Sequence, residues 1–215
     1  MSRAIGHMRW LGIDIIHTAR TFNAYRDMFF RGQDESELLR SLAGKRVVDV
    51  ACGYTPYAPD SMFRACEAAG VEFYGVDPAL TQPLVPSLKN RAMSRWTGGS
   101  GQFLRSPPGI ERALGVHAQA MPFDDDSIDH ILCAYLLWVW LEDEESLGQV
   151  FTEMHRVLKP GGSVRIFPLP RWRSLPVRSA DLSSALEQFE ISQRFVMGSY
   201  RSRTMSAMLT TLVKR

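Results

Sequence analysis

Apolar positions recur along this chain in two rhythms, and the changes of rhythm divide it into three zones. Residues 1–44 read as helical. From Ile13 to Leu39, the residues Ile16, Phe22, Tyr25, Phe29 and Phe30 fall at helical spacing. Gly32-Gln33-Asp34 interrupts the pattern. Asp34 is placed to cap a second short helix through Glu37, Leu38 and Leu39, and Gly44 stops it. Such helices are expected to cover one face of a sheet or to form a lid over a ligand.

Residues 45–169 alternate strand and helix. Arg46 to Ala51 is a short apolar strand. Met62, Phe63, Cys66 and Ala69 form a helical stripe ended by Gly70, and Val71 to Val76 is the next strand. A helix from Leu84 to Trp96 is followed by the loop Gly98-Gly99-Ser100-Gly101 and Pro107-Pro108-Gly109. Val116 to Ala120 reads as a third strand and Ile128 to Ala134 as a fourth. Leu147, Val150, Phe151, Met154, Val157 and Leu158 share one face of an amphipathic helix. Lys159-Pro160-Gly161-Gly162 stops it, and Ser163 to Leu169 is a fifth strand. In residues 170–215 a helix from Ala180 to Gln188 precedes two strands, Phe189 to Val196 and Ala207 to Val213. They are joined without a helix and so pair as an antiparallel hairpin.

Alternating apolar strands and helices predict a parallel sheet covered on both faces. Ligands of such sheets bind at the carboxyl ends of the strands, near the reversal of strand order. The positions to examine are therefore 49–55, 77–78, 117–119, 133–138 and 168–173.

Composition narrows the function. An apolar share of 45% and a charged share of 22% are those of an ordinary soluble protein, and 215 residues suffice for one compact domain. The net charge of +2 is spread along the chain, which argues against nucleic acid as the main partner. Cys52, Cys66 and Cys133 are odd in number, lie in apolar runs and lack metal-ligand spacing. Reduced, buried thiols and no metal are expected. The N-terminus shows no signal-peptide pattern, and the longest apolar run, Ile131 to Leu141, is too short to span a bilayer as a helix. A cytoplasmic location without membrane association is expected.

Four segments carry a resemblance. They are Val47-Val48-Asp49-Val50-Ala51-Cys52-Gly53-Tyr54-Thr55, Tyr74-Gly75-Val76-Asp77-Pro78, Ala118 to Asp129, and Val157-Leu158-Lys159-Pro160-Gly161-Gly162-Ser163. In this order and spacing the chain resembles the class I methyltransferases that use S-adenosylmethionine (SAM), over roughly residues 45–169. The resemblance implies an α/β fold: a Rossmann-like, doubly wound, mostly parallel seven-stranded sheet. The C-terminal antiparallel hairpin strand and an N-terminal helical lid (residues 1–44) complete one compact domain with residues 45–215. It implies SAM as cofactor, held by Asp49, Ala51, Cys52 and Gly53 in the turn after the first strand. Asp77, followed by Pro78, would accept from the ribose hydroxyls. His117, Ala118 and Gln119 would lie at the adenine, and Cys133 near the methyl group.

The family's turn is glycine-rich. Here Ala51 and Thr55 replace the first and third glycines, and Pro56 forces Thr55 toward extended geometry. Pro59 delays the next helix. Tyr25 and Tyr135 are the candidate catalytic residues. His17, Arg26 and Arg171-Trp172 are further candidates near the acceptor, and Tyr135 and Trp138 are placed to face the sulfonium. Asp124-Asp125-Asp126 reads as a solvated turn, and Glu142 to Glu145 as the acidic start of a helix.

The reading is methyl transfer to a small molecule by in-line displacement. An alternative is attack at the γ-carbon of the aminocarboxypropyl group, by transfer or cyclisation, releasing methylthioadenosine. The altered turn and the set Arg20, Arg26 and Arg31 motivate it. A third reading is an inactive, methyltransferase-like binding subunit.

Overall fold

The computed structural model of the protein describes residues 5–10, 13–18, 20–81, 87–96, 98–169, 171–175, 177–200 and 203–215. In chain order the elements are β1 (Ile5–Trp10), β2 (Ile13–Thr18), α1 (Phe22–Phe29), α2 (Glu35–Leu42) and β3 (Arg46–Val50). Next come α3 (Met62–Ala68), β4 (Glu72–Val76), α4 (Leu88–Trp96), β5 (Ala113–Leu114) and β6 (Ile128–Ala134). The chain ends with α5 (Glu144–Val157), β7 (Leu158–Leu169), α6 (Ala180–Glu187), β8 (Phe189–Tyr200) and β9 (Arg203–Lys214).

The central sheet has seven strands in the order β5-β4-β3-β6-β7-β9-β8. β3 to β7 run parallel, whereas β9 lies antiparallel between β7 and β8. From β3 the chain first builds outward through β4 and β5, then returns to place β6 on the other side. The reversal falls between β3 and β6, where an open α/β sheet leaves a crevice at its carboxyl edge.

Alternation along each strand sends side chains to opposite faces. Val48, Val50, Ile131, Cys133, Val164 and Ile166 point to one face and are buried in a cluster with α5 and α6. Val47, Leu132, Ala134 and Phe167 point to the other, where α1, α2 and α3 contribute Tyr25, Phe29, Leu38, Phe63 and Cys66. Helix starts are fixed by side chains. Thr21 Oγ1 accepts from the Ala24 amide, Asp34 from Ser36 and Glu37, and Asp143 from Ser146. The last stands before the acidic first turn of α5 read in the sequence.

Three sequence expectations are corrected. Residues 1–44 are not helical throughout: β1 and β2 pair as an antiparallel hairpin, and helix begins only at Phe22. The run Ile13-Asp14-Ile15-Ile16-His17-Thr18 is rich in β-branched residues, which favour extended backbone. Helix in this zone is thus confined to α1 and α2, which pack on one face of the sheet. The expected strand Val116–Ala120 is instead β5, two residues long and earlier in the chain. The Asp77 amide donates to the Leu114 carbonyl (3.1 Å), and with β4 ended there is no partner for Val116. The helix expected from Leu84 begins at Leu88, and residues 84–86 lie outside the described residues. Among the described residues no helix is long and apolar enough to cross a membrane.

Candidate functional site

The carboxyl ends of β3, β4 and β6 meet at one place. After β3 the chain turns sharply. The Ala51 and Cys52 amides both point to the Val76 carbonyl on β4, at 2.8 and 3.4 Å. Ala51 takes φ 58° and Gly53 φ 57°. The left-handed region costs an alanine about 1–2 kcal/mol, so Ala51 is strained in a conformation that a glycine takes freely. Thr55, at the third glycine position, does not adopt it. Thr55 to Tyr57 form one turn of 3-10 helix with Pro56 in its first positions, and α3 starts only at Met62, as Pro56 and Pro59 require. One glycine not singled out by the sequence pattern shapes the turn from beneath. A Cβ on Gly75 would stand 2.9 Å from Cys52 Sγ, so only glycine lets β4 pass this close.

Asp77 joins the two loops. Its Oδ2 accepts from the Gly53 amide (2.8 Å) and its Oδ1 from Ala79 (2.9 Å). A carboxylate oxygen offers two lone pairs, so each retains one for a ligand hydroxyl. Asp77 is partly exposed and Pro78 is exposed beside it.

Asp49 lies one layer deeper. Its Oδ2 accepts from the Tyr25 hydroxyl (2.8 Å), and the Tyr25 oxygen accepts from Arg20 (2.9 Å), which also reaches the Ala134 carbonyl (3.4 Å). Asp49 Oδ1 is buried with no hydrogen-bond partner. Burial pushes the Asp49 carboxyl up to about 7, against the pull of Arg20 and of the Tyr25 hydrogen bond, and Asp77 adds to the rise. Burial also raises Tyr25, so it stays a neutral donor. For Arg20 burial opposes the charge, but Tyr25 and Asp49 together outweigh it and hold the guanidinium cationic.

A cavity of about 250 Å³ opens beside this network. Arg20, Gly53 and Tyr54 line one side; Asn90, Ser94 and Phe103 line the other. The second wall comes from α4 and the loop after it, which the sequence offered only as a helix and an irregular stretch. Asp60, also in the lining, ties that loop down by accepting from the Ser100 amide (2.8 Å).

The turn after β5 carries His117, Ala118 and Gln119. Ala118 is buried, and the Ala120 amide closes the turn on the His117 carbonyl (3.1 Å). Gln119 lines a separate cleft formed with α5 and the start of α6. The following loop is pinned to α5. Glu153 accepts from the Met121 amide (2.7 Å), while Arg156 donates to the Met121 and Phe123 carbonyls and to Asp125.

Cys133, beside Val50 in the register of β3 and β6, is wholly buried, and burial pushes its thiol up to about 12. Cys52 and Cys66 are also buried and free. Tyr135 follows β6 with φ 60°, its ring edge-on to Phe167 and its hydroxyl directed to Met28 Sδ (3.8 Å). Trp138, at φ 56°, sits against Phe151 and Trp172, whereas Trp140 is exposed. Two bulky residues in the left-handed region within four positions mark stored strain, which concentrates at functional sites. Neither residue type predicts it. Arg26 is next to Asp27, and Trp172 packs on Trp138. The side chain of His17 lies outside the described residues.

Comparison with known proteins agrees with this arrangement. The family described as "Methyltransferase domain" matches residues 48–166. An uncharacterized methyltransferase of Mycobacterium tuberculosis is 32% identical over 121 residues, 56% of this chain and 38% of that protein. A demethylmenaquinone methyltransferase of Geobacillus kaustophilus is 31% identical over 123 residues, 55% of this chain and 43% of that one. The chain thus spans less than half the length of these two curated relatives. A SAM-dependent methyltransferase of Methanosarcina mazei shares the fold, with a TM-score of 0.50 and 14% identity, covering 82% of this chain and 96% of that one. Since the family pattern extends over more than half of the 215 residues, the chain belongs to the class I SAM-dependent methyltransferases.

Proposed function

We propose that this protein binds SAM at the β3–β4 junction and transfers its methyl group to a small-molecule acceptor. The observation that carries the reading is the pair of carboxylates there. Asp77 keeps acceptor capacity for the ribose hydroxyls, and Asp49 Oδ1 is a buried acceptor that lacks a donor. An unmet buried acceptor costs about 1–3 kcal/mol, and the cofactor's ammonium is a donor of the right kind. Gly53 adds space, because nothing lies within 4 Å of where its Cβ would be. SAM supplies an activated methyl on a sulfonium, so the protein's task is to bind, orient and exclude water.

Roles follow from position. Ala51, Cys52 and Gly53 present backbone to the cofactor, and Ala118 lies against the adenine with His117 beside it, while Gln119 belongs to the cleft with α5 and α6. Cys133 forms the floor. Tyr25, buried and donating to Asp49, holds that carboxylate in place with Arg20. Tyr135 shapes the end of β6. A small acceptor is supported by the name of the Geobacillus relative, a demethylmenaquinone methyltransferase.

The test is to incubate the protein with SAM and candidate small-molecule acceptors and identify the nucleoside released. S-adenosylhomocysteine, formed only with acceptor, is the expected product. Methylthioadenosine formed without acceptor would replace methyl transfer by attack at the γ-carbon. No product and no calorimetric binding of SAM would overturn the assignment.

A further inference from the structure

A second polar cleft lies on the far half of the sheet. The register sets Arg165 of β7, Thr211 of β9 and Ser192 of β8 in one row, on the face toward α1. Arg194, two residues after Ser192, shares that face opposite Leu209. With Arg31, Phe30 and Gln33 above them, these side chains line a cavity of about 390 Å³. A half-solvated antiparallel face accounts for polar residues. It does not account for their sign, because like charges turned to one space repel each other.

Three guanidiniums converge here: Arg31, Arg165 and Arg194. None of them forms an ion pair among the described residues. Arg165 is held by the chain itself. It donates to the Phe29 carbonyl at the end of α1 (3.4 Å), and its guanidinium lies 4.6 Å from the centre of the Phe30 ring. Burial and then Arg194 lower the pKa of Arg165. Burial and then Arg31 lower that of Arg194. Each cation is thus destabilised by the next. Guanidinium cannot shed its proton at any ordinary pH, so the imbalance is relieved only by a counter-charge. Several guanidiniums turned to one space form a fork-shaped donor set that suits tetrahedral or planar oxyanions.

We propose that this cleft binds the phosphate group of a small phosphomonoester, with Arg31, Arg165 and Arg194 as donors and Phe30 and Leu209 against its organic part. The cavity is larger than a bare phosphate requires. It is also separate from the β3–β4 turn. Asp49 pairs with Leu132 and Leu132 with Arg165, so two strand spacings, about 10 Å, separate the two backbones. The inference stands independently of the methyl-transfer reading.

The test uses two probes, inorganic phosphate and phenyl phosphate, in calorimetric titrations at constant ionic strength set with chloride. The wild-type protein should bind both, and phenyl phosphate more tightly. Arg194→Gln should weaken both about tenfold or more, as expected for loss of a charge-assisted donor. Arg31→Gln, at an exposed position, should act in the same direction and serves if Arg194→Gln does not fold. Arg40→Gln, exposed on α2, should change nothing. Absence of binding by the wild type, or equal weakening by Arg40→Gln, would overturn the site. Equal affinity for the two probes would overturn the phosphomonoester and leave only the free ion.

Discussion

The two faces of the central sheet are built from the same strands and differ in kind. Toward α5 and α6, the residues Val48, Val50, Ile131, Cys133, Val164 and Ile166 are buried without a charge among them. Toward α1, the neighbouring positions alternate apolar residues with Asp49 and Arg165. Helix α1 serves both charges. Tyr25 donates to Asp49, and one turn later the Phe29 carbonyl accepts from Arg165. One face therefore supplies stability, and the other accepts the cost of buried charge to make sites.

If that division is right, Phe189→Ala on the α5 side should give the largest effect. Phe189 is buried beside His155, and its loss should cost about 3–5 kcal/mol in urea unfolding. SAM affinity of the folded protein should not change; a parallel fall in affinity would break the comparison.

Next comes pH. Asp49 is raised from 3.8 to about 7 in the fold. The native state therefore binds the extra proton. Its stabilising effect is full below the ordinary carboxyl value and is lost as pH rises through 7, at up to about 1.4 kcal/mol per pH unit. His130, which burial pushes down to about 4, contributes a slope of opposite sign between there and 6.5. The difference in unfolding free energy between wild type and Asp49→Asn, followed from pH 4.5 to 7.5, isolates the Asp49 part. A difference independent of pH would show that Asp49 is not perturbed.

Asp77→Ala should weaken SAM by about 2–3 kcal/mol, measured by calorimetry, because it removes ribose acceptors and frees the Gly53 amide. The smallest effect is expected of Ala51→Gly. Relief of the left-handed conformation should stabilise the fold by about 1 kcal/mol in thermal unfolding. A loss of stability there would mean that the Ala51 methyl makes a contact worth more than the strain.

The sequence made the β3–β4 half of the α1 face readable. Asp49 and Gly53 stand out in one run and Asp77 in another, because a sharp turn and a strand-end carboxylate leave local signatures. Pro56 predicts an extended Thr55, and the chain instead makes one turn of 3-10 helix there. The far half was hidden. Arg31, Arg165 and Arg194 are widely separated in the chain, and only the register of β7, β9 and β8 brings them together. The strained backbone of Tyr135 and Trp138 has no signature in residue type, since neither favours positive φ. The β1–β2 hairpin is hard to read because Ile13 and Ile16 stand at a helical spacing while Ile13 and Ile15 satisfy a strand period. The brevity of β5 depends on where its neighbour β4 stops, which no local pattern records.

The clamp of Glu153 and Arg156 on the loop after β5 bears on how fast a ligand can be taken up. Fixing a backbone residue costs about 1–2 kcal/mol in entropy. Here Met121 and Phe123 are fixed by α5, through contacts the protein makes on its own. That ordering belongs to folding, not to association. Under the proposed placement of the adenine at Ala118, a ligand meets a backbone already fixed, and no loop closure has to precede capture on this side. Uptake is then governed by diffusion and orientation, so mutating the clamp should slow the on-rate before it changes any contact with the ligand.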